Sequence, residues 1–244
     1  MENRLTRLSV AVANFYSLEE RLRECLEFLQ YTDKNFKIVS PRFVPIILDA
    51  CSLIDSILKA FVGKNVKKSN LKYYSQNAER YLELDNAFSI FLNTQLEFLN
   101  PFSSWQTKVP HWWSAYNHLK HDRLNNYSEA TYENAVLSLC ALHQVIARSR
   151  EFIPNLISAG WFNSQSSDFS ELVMAQYIQV GVKPIHVMPV ETRLFVTPLH
   201  SNFVEFKSGE PVLLEKCQFS PRVNAMICAI DCINAGEYMT QPSN

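Results

Sequence analysis

Glycine is scarce in this chain: five glycines stand against eleven prolines. Few glycines disfavour phosphate-cradling loops and tight all-β meanders, which need positive φ, and favour helices. No GxGxxG and no Walker pattern occurs. Excess charge is also missing, since the formal net charge is −1. Proteins that bind nucleic acid over a broad surface are usually clearly basic, so any such role here falls to a local patch. No apolar run reaches the ~18 residues that span a membrane, so no membrane partner is expected. Internal repeats and low-complexity tracts are absent.

The six cysteines, Cys25, Cys51, Cys140, Cys217, Cys228 and Cys232, are scattered. Several sit in apolar helical patterns, where a free thiol behaves as a small hydrophobe. Cys228 and Cys232 lie at i,i+4 with Asp231 beside them, but no second Cys/His pair completes a zinc site. We expect no metal and no cofactor. The start, MENRLTRLSVAVANF, has early charges and too short an apolar run for a secretory signal. Together these features lead to the expectation of a reducing, cytoplasmic location.

What is present in quantity is core material. Of 244 residues, 47% are hydrophobic and 12% aromatic, enough for one large domain or a domain with an appendage. Residues 1–30 read as helix, with Ser17 and Glu20 forming a capping box and Leu22, Cys25, Leu26 and Leu29 one stripe. Ser40-Pro41 opens FVPIILDACSLIDSILKAFVG, an apolar helix stopped by Gly63. The polar GKNVKKSN follows, a solvated loop or a phosphate contact. NLKYYSQNAERYLELDNAFSIFLNTQLEFL reads as mostly helical, in two pieces, with Tyr73, Tyr74, Phe88 and Phe91 in the core and Asn100-Pro101 as the break. SEATYENAVLSLCALHQVIARS is a helix that Ser128 can cap. PNLISAGWFNSQSSDFS is a loop or linker. KPIHVMPVETRLFVTP and NFVEFKSGEPVLLEK read as strands, with Ser208-Gly209 as a hairpin turn. SPRVNAMICAIDCINAGEY reads as a closing helix, with Ser220, Pro221 and Gly236 as its boundary signals. His186 and His200 lie in this strand region and read as surface or core histidines. The expected fold class is mainly α: a helical bundle over 1–155 and a small β-rich α+β appendage over 156–244 that ends in a short helix.

The stretch PHWWSAYNHLKHDRLNNY concentrates the chemistry. Taken as one helix from Pro110 to about Leu124, it stacks Trp113, Asn117 and His121 on successive turns. Tyr116, Lys120 and Arg123 form an adjoining row. His118 and Asp122 pair at i,i+4, while Trp112 and Leu119 point away. A histidine with a near-neutral pKa can take a proton from a ribose 2′-hydroxyl or give one to a leaving oxygen. A lysine or arginine nearby can hold the phosphate. That combination suits metal-independent RNA cleavage. The same residues also suit plain structure: polar groups satisfying a core helix, and Trp105, Trp112 and Trp113 as bundle packing or as platforms for bases.

WWSAYNHLKHDR, preceded by LNPFSSW and followed by SEATYENAVLSLCALHQVI, resembles the HEPN superfamily (higher eukaryotes and prokaryotes nucleotide-binding domains). The resemblance covers about 1–155. It implies a helical bundle, often dimeric, and for many members a ribonuclease of toxin–antitoxin, phage-defence or RNA-processing systems. The family's motif is an arginine, often followed by a polar residue, with a histidine a few positions on. Here Asn117 takes the polar position and His121 the histidine position. Tyr116 stands where the arginine would be, and Lys120 or Arg123 is left to supply the cation.

The resulting expectation is a HEPN-like protein acting on RNA, a weak or regulated endoribonuclease in a bacterial defence or toxin–antitoxin setting. His121 is the acid/base, Asn117 positions the substrate, and Lys120 and Arg123 hold phosphate. Tyr116, Trp113 and His118 contact the substrate. The partners implied are RNA, a second copy in a homodimer, and a protein partner or antitoxin. The alternative is a non-catalytic nucleotide- or protein-binding assembly module, which Tyr116 at the arginine position favours; a regulatory subunit of a larger complex is a third reading.

Overall fold

The structure is a computed structural model that describes residues 2–62, 70–85, 87–92, 96–149, 152–161 and 187–200. The chain divides into two compact units, Met1–Ser149 with Glu191–Thr197, and Arg150–Val190 with Pro198–Asn244. The fold is mainly helical with a small four-stranded sheet.

The first unit opens with α1 (Glu2–Leu26), a single helix of 25 residues. Ser17 is therefore in its interior and caps nothing. Residues 9–26 of α1 turn an apolar stripe inward, with Phe15, Leu18 and Leu22 buried. The Ser40 carbonyl accepts from the Phe43 amide at 3.1 Å and opens α2 (Phe43–Val62). Its Ile46, Ile47, Ala50, Cys51 and Ile54 are fully buried, as its nearly continuous apolar sequence demands. Each of the three isoleucines contributes about 1.5–3 kcal/mol of burial.

Next comes α3 (Leu71–Leu82), capped by Asn70, whose side chain accepts from the Tyr73 amide at 2.9 Å. Glu83, at φ 49°, ends it in the left-handed region. The expected second helical piece is absent. In its place are β1 (Ser89–Leu92) and β2 (Leu96–Leu99), an antiparallel pair in register Ser89↔Leu99 to Leu92↔Leu96. Aromatic and β-branched residues suit both a buried helix and a buried strand, and tertiary pairing decides here. Tyr74, Phe88 and Phe91 are buried as expected, and Tyr73 is half-buried.

After α4 (His111–His121) and a short 3-10 turn (Tyr127–Glu129) comes α5 (Tyr132–Ala147). Thr131, not Ser128, caps α5, its hydroxyl accepting from the Asn134 amide at 3.2 Å. All of α5 except Glu133 and Leu137 is buried. It packs chiefly on α2, and α1 and α4 lie against the same pair.

The sheet order is β2-β1-β4-β3, with β3 (Val187–Glu191) and β4 (Phe195–His200) from far along the chain. β4 pairs antiparallel with β1 through Ile90↔Val196 and Phe91↔Phe195. Buried polar groups hold this junction. Gln144 Nε2 donates to Ser89 Oγ at 3.0 Å, Ser89 and Thr197 hydroxyls lie 2.7 Å apart, and Thr197 Oγ1 is 2.7 Å from His143 Nδ1. Burial holds His143 down at about 3, so its ring is neutral. The buried Glu19 carboxylate of α1 accepts from the Leu194 amide at 2.9 Å and from the Thr192 hydroxyl. Desolvation raises its pKa against the pull of those donors.

In the second unit α6 (Ile153–Ser158) stands where a linker was expected, with Leu156 buried and its carbonyl accepting from the Trp161 amide at 2.9 Å. Six hydrophobic and polar residues suffice for this short turn-and-a-half, which Gly160 at φ +73° follows. GKNVKKSN apart from Asn70, the hairpin at Ser208-Gly209, the closing helix with Ser220, Pro221 and Gly236, Cys217, Cys228, Asp231 and Cys232, and His186 lie outside the described residues. Cys25, Cys51 and Cys140 are buried free thiols, and desolvation pushes all three up, which makes them packing groups. Among the described residues no helix is long and apolar enough to cross a membrane.

Candidate functional site

Helix α4 starts at Pro110, whose carbonyl accepts from the Trp113 and Ser114 amides at 3.1 Å. Its inward face is aromatic. Trp112 is fully buried, donates from Nε1 to the Pro101 carbonyl at 2.7 Å, and meets Phe102 edge-on at 5.4 Å. Trp113 is buried and packs on the Tyr116 ring at 5.2 Å. Trp105 is buried too, its Nε1 donating to the Glu79 carboxylate at 2.7 Å. These tryptophans are therefore packing groups, and the indole N–H groups of Trp105 and Trp112 are satisfied.

Tyr116, at 4% exposure, is part of this layer, with its hydroxyl at the rim. Lys120 Nζ donates to that hydroxyl at 3.0 Å and lies 5.1 Å from the ring centroid. The bond raises the lysine pKa, against a smaller opposing desolvation. The Asp55 carboxylate on α2 adds to the same pull and itself accepts from the Tyr74 hydroxyl at 2.8 Å. Asp55 escaped the sequence reading. The single acid in the mostly apolar LIDSILKAF was the available signal.

Asn117 is half-buried, and its amide donates back to the Trp113 carbonyl at 3.0 Å. His121, the last residue of α4, is exposed, and its ring makes no hydrogen bond or ion pair with any described residue. His118 is exposed as well. Its Nδ1 lies 3.4 Å from Glu129 Oε1 rather than against Asp122.

The helix stops short of the expected Leu124. Asp122 leaves helical geometry at φ −150°, ψ 78°. Its carboxylate instead accepts from Asn125 Nδ2 at 2.6 Å, and its carbonyl from Asn126 Nδ2 at 2.8 Å. This Asx-type turn competes successfully with one more helical turn. Arg123 therefore does not continue the Tyr116–Lys120 row. It sits exposed on the turn beside Leu124, which is 92% exposed.

The structure thus brings Tyr116, Asn117, Lys120 and His121 to one end of α4 and sets Arg123 on the adjoining turn. The last turn gathers His118, Lys120 and His121, where the negative end of the helix dipole favours cations. What results is an open cationic rim over an aromatic layer. Such a rim can meet an extended anion and offers a solvent-facing imidazole. Among the described residues no three His, Cys, Asp or Glu side chains gather as a metal site. No protein-family model, no curated protein and no solved structure matches the chain.

Proposed function

We propose that the chain is a HEPN-like protein that acts on RNA in the cytoplasm, with the C-terminal turn of α4 as its phosphate-facing site. The observation that carries this reading is the exposed, uncommitted His121 imidazole one residue from the Lys120 ammonium. In the reaction, the imidazole takes the ribose 2′-hydroxyl proton and the 2′-oxygen attacks phosphorus. The 5′-oxygen leaves with a proton, and the product is a 2′,3′-cyclic phosphate. Lys120 and Arg123 balance charge on the phosphoryl oxygens. A homodimer would supply a second His121 for the leaving oxygen and double the local positive charge. A defence or toxin–antitoxin setting, with a protein partner or antitoxin in control, accords with the family that the sequence resembles.

The test pairs binding with cutting. Single-stranded RNA should bind with an affinity that falls as salt rises, and Lys120→Ala and Arg123→Ala should each reduce both the affinity and the salt dependence. Cleavage in the presence of chelator should yield cyclic phosphate ends. A pure protein that neither binds nor cleaves RNA would refute the proposal.

A second reading is a non-catalytic binding or assembly module. The buried Tyr116 favours it, because its hydroxyl occupies the motif's cation position and ties up Lys120. Salt-dependent RNA binding without cleavage would select it.

A further inference from the structure

A groove of about 300 Å³ runs between α1 and α2, with no described residue of α4 in its lining. Asn14, Ser17, Leu18 and Arg21 line it from α1, and Asp49, Ser52 and Leu53 from α2. The spacings i, i+3, i+4 and i+7 on one helix and i, i+3 and i+4 on the other place these residues on two facing stripes. The volume is at the lower end of ligand pockets, which run from about 300 to 1,000 Å³.

The polar lining is uncommitted. Among the described residues Arg21 and Asp49 enter no ion pair, with each other or with anything else, and the side chains of Asn14, Ser17 and Ser52 make no hydrogen bond. Several charges on and around α1 are paired instead. Arg23 pairs with Glu20 and Glu27, Arg42 with Glu24, and Arg193 with Glu20. Arg21 and Asp49 are the one cation and the one anion among the described residues that line this groove, and both are exposed.

Opposite charges in one small groove discriminate by sign. A lone anion is repelled by Asp49, and a lone cation by Arg21. A molecule that carries both charges satisfies both. We infer that this groove binds a small zwitterion of the α-amino-acid class. The guanidinium of Arg21 takes the carboxylate, where its planar fork suits two parallel hydrogen bonds. Asp49 takes the ammonium. Ser17, Ser52 and Asn14 supply further hydrogen bonds, and Leu18 and Leu53 meet the ligand's apolar part. The site is independent of the RNA reading at α4.

Calorimetric titration of the full chain with free L-amino acids tests this. Each amino acid that binds is compared with the matched amine, which lacks the carboxylate, and the matched acid, which lacks the ammonium. At least one amino acid should bind one per chain, and both single-charge analogues should bind about tenfold more weakly or worse. Arg21→Met and Asp49→Asn should each cost a similar factor, with unchanged circular dichroism and melting temperature. The inference is overturned if no amino acid binds, or if a single-charge analogue binds equally well. It is also overturned if these substitutions alter the oligomeric state, which would make the groove a contact for a second copy.

Discussion

The Lys120 ammonium donates to the Tyr116 hydroxyl at 3.0 Å, one helical turn below it on α4. This contact joins the buried aromatic layer to the cationic rim, and it is the largest cause of the lysine's raised pKa. Tyr116→Phe removes the acceptor and keeps the ring. We expect the Lys120 pKa to fall toward its ordinary value, read by NMR titration of the ammonium, with little change in melting temperature. An unmoved pKa would deny the hydrogen bond.

Tyr116→Arg restores the family's cation on paper. The position is buried against Trp113, so an arginine there must leave the aromatic layer or lose hydration beside Lys120. We expect a loss of about 1–3 kcal/mol in denaturant unfolding, since an uncompensated charge meets both burial and a like charge. A variant as stable as the parent, with stronger RNA cleavage, would contradict this packing.

Trp112 separates packing from hydrogen bonding. Trp112→Ala should cost about 3–5 kcal/mol through the cavity it opens. Trp112→Phe keeps most of the volume but strands the Pro101 carbonyl, and should cost about 1–3 kcal/mol. Chemical denaturation gives both values.

The β1–β4 junction has two pH terms of opposite sign. His143 titrates near 3 in the fold, whereas an unfolded histidine titrates near 6.5. The unfolded chain therefore binds a proton first, and the stability present above about 6.5 is lost as pH falls toward 3. Glu19 has the reverse sign. Its raised pKa makes its contribution complete below the unfolded value and lost as pH rises through the folded one. Stability measured against pH should show His143→Gln flattening the acid side and Glu19→Gln flattening the slope above about 4.5. Parallel curves for parent and variants would contradict the burial of these groups.

Local periodicity carried much of this fold. The continuous apolar pattern of α2 and the buried run of α5 are visible in sequence, because a helix in the middle of a core is apolar on every side. The strands β1 and β2 were hidden. Phe91 pairs with Phe195, more than a hundred residues away, and no local window shows that partner. At the candidate site, the inward Trp112 and Leu119 and the Tyr116–Lys120 neighbours follow from helical spacing. The fate of Arg123 does not, because Asp122, read as a helical partner of His118, instead forms the turn with Asn125 and Asn126 that ends the helix. His118 found Glu129 because the chain folds back after that turn.

The most direct test of the account is the RNA product of the parent and of His121→Ala, in chelator. His121 is exposed and holds no other group, so the variant should melt at the parent's temperature. The account predicts fragments ending in 2′,3′-cyclic phosphate from the parent and none from the variant. Equal cleavage by both would contradict it.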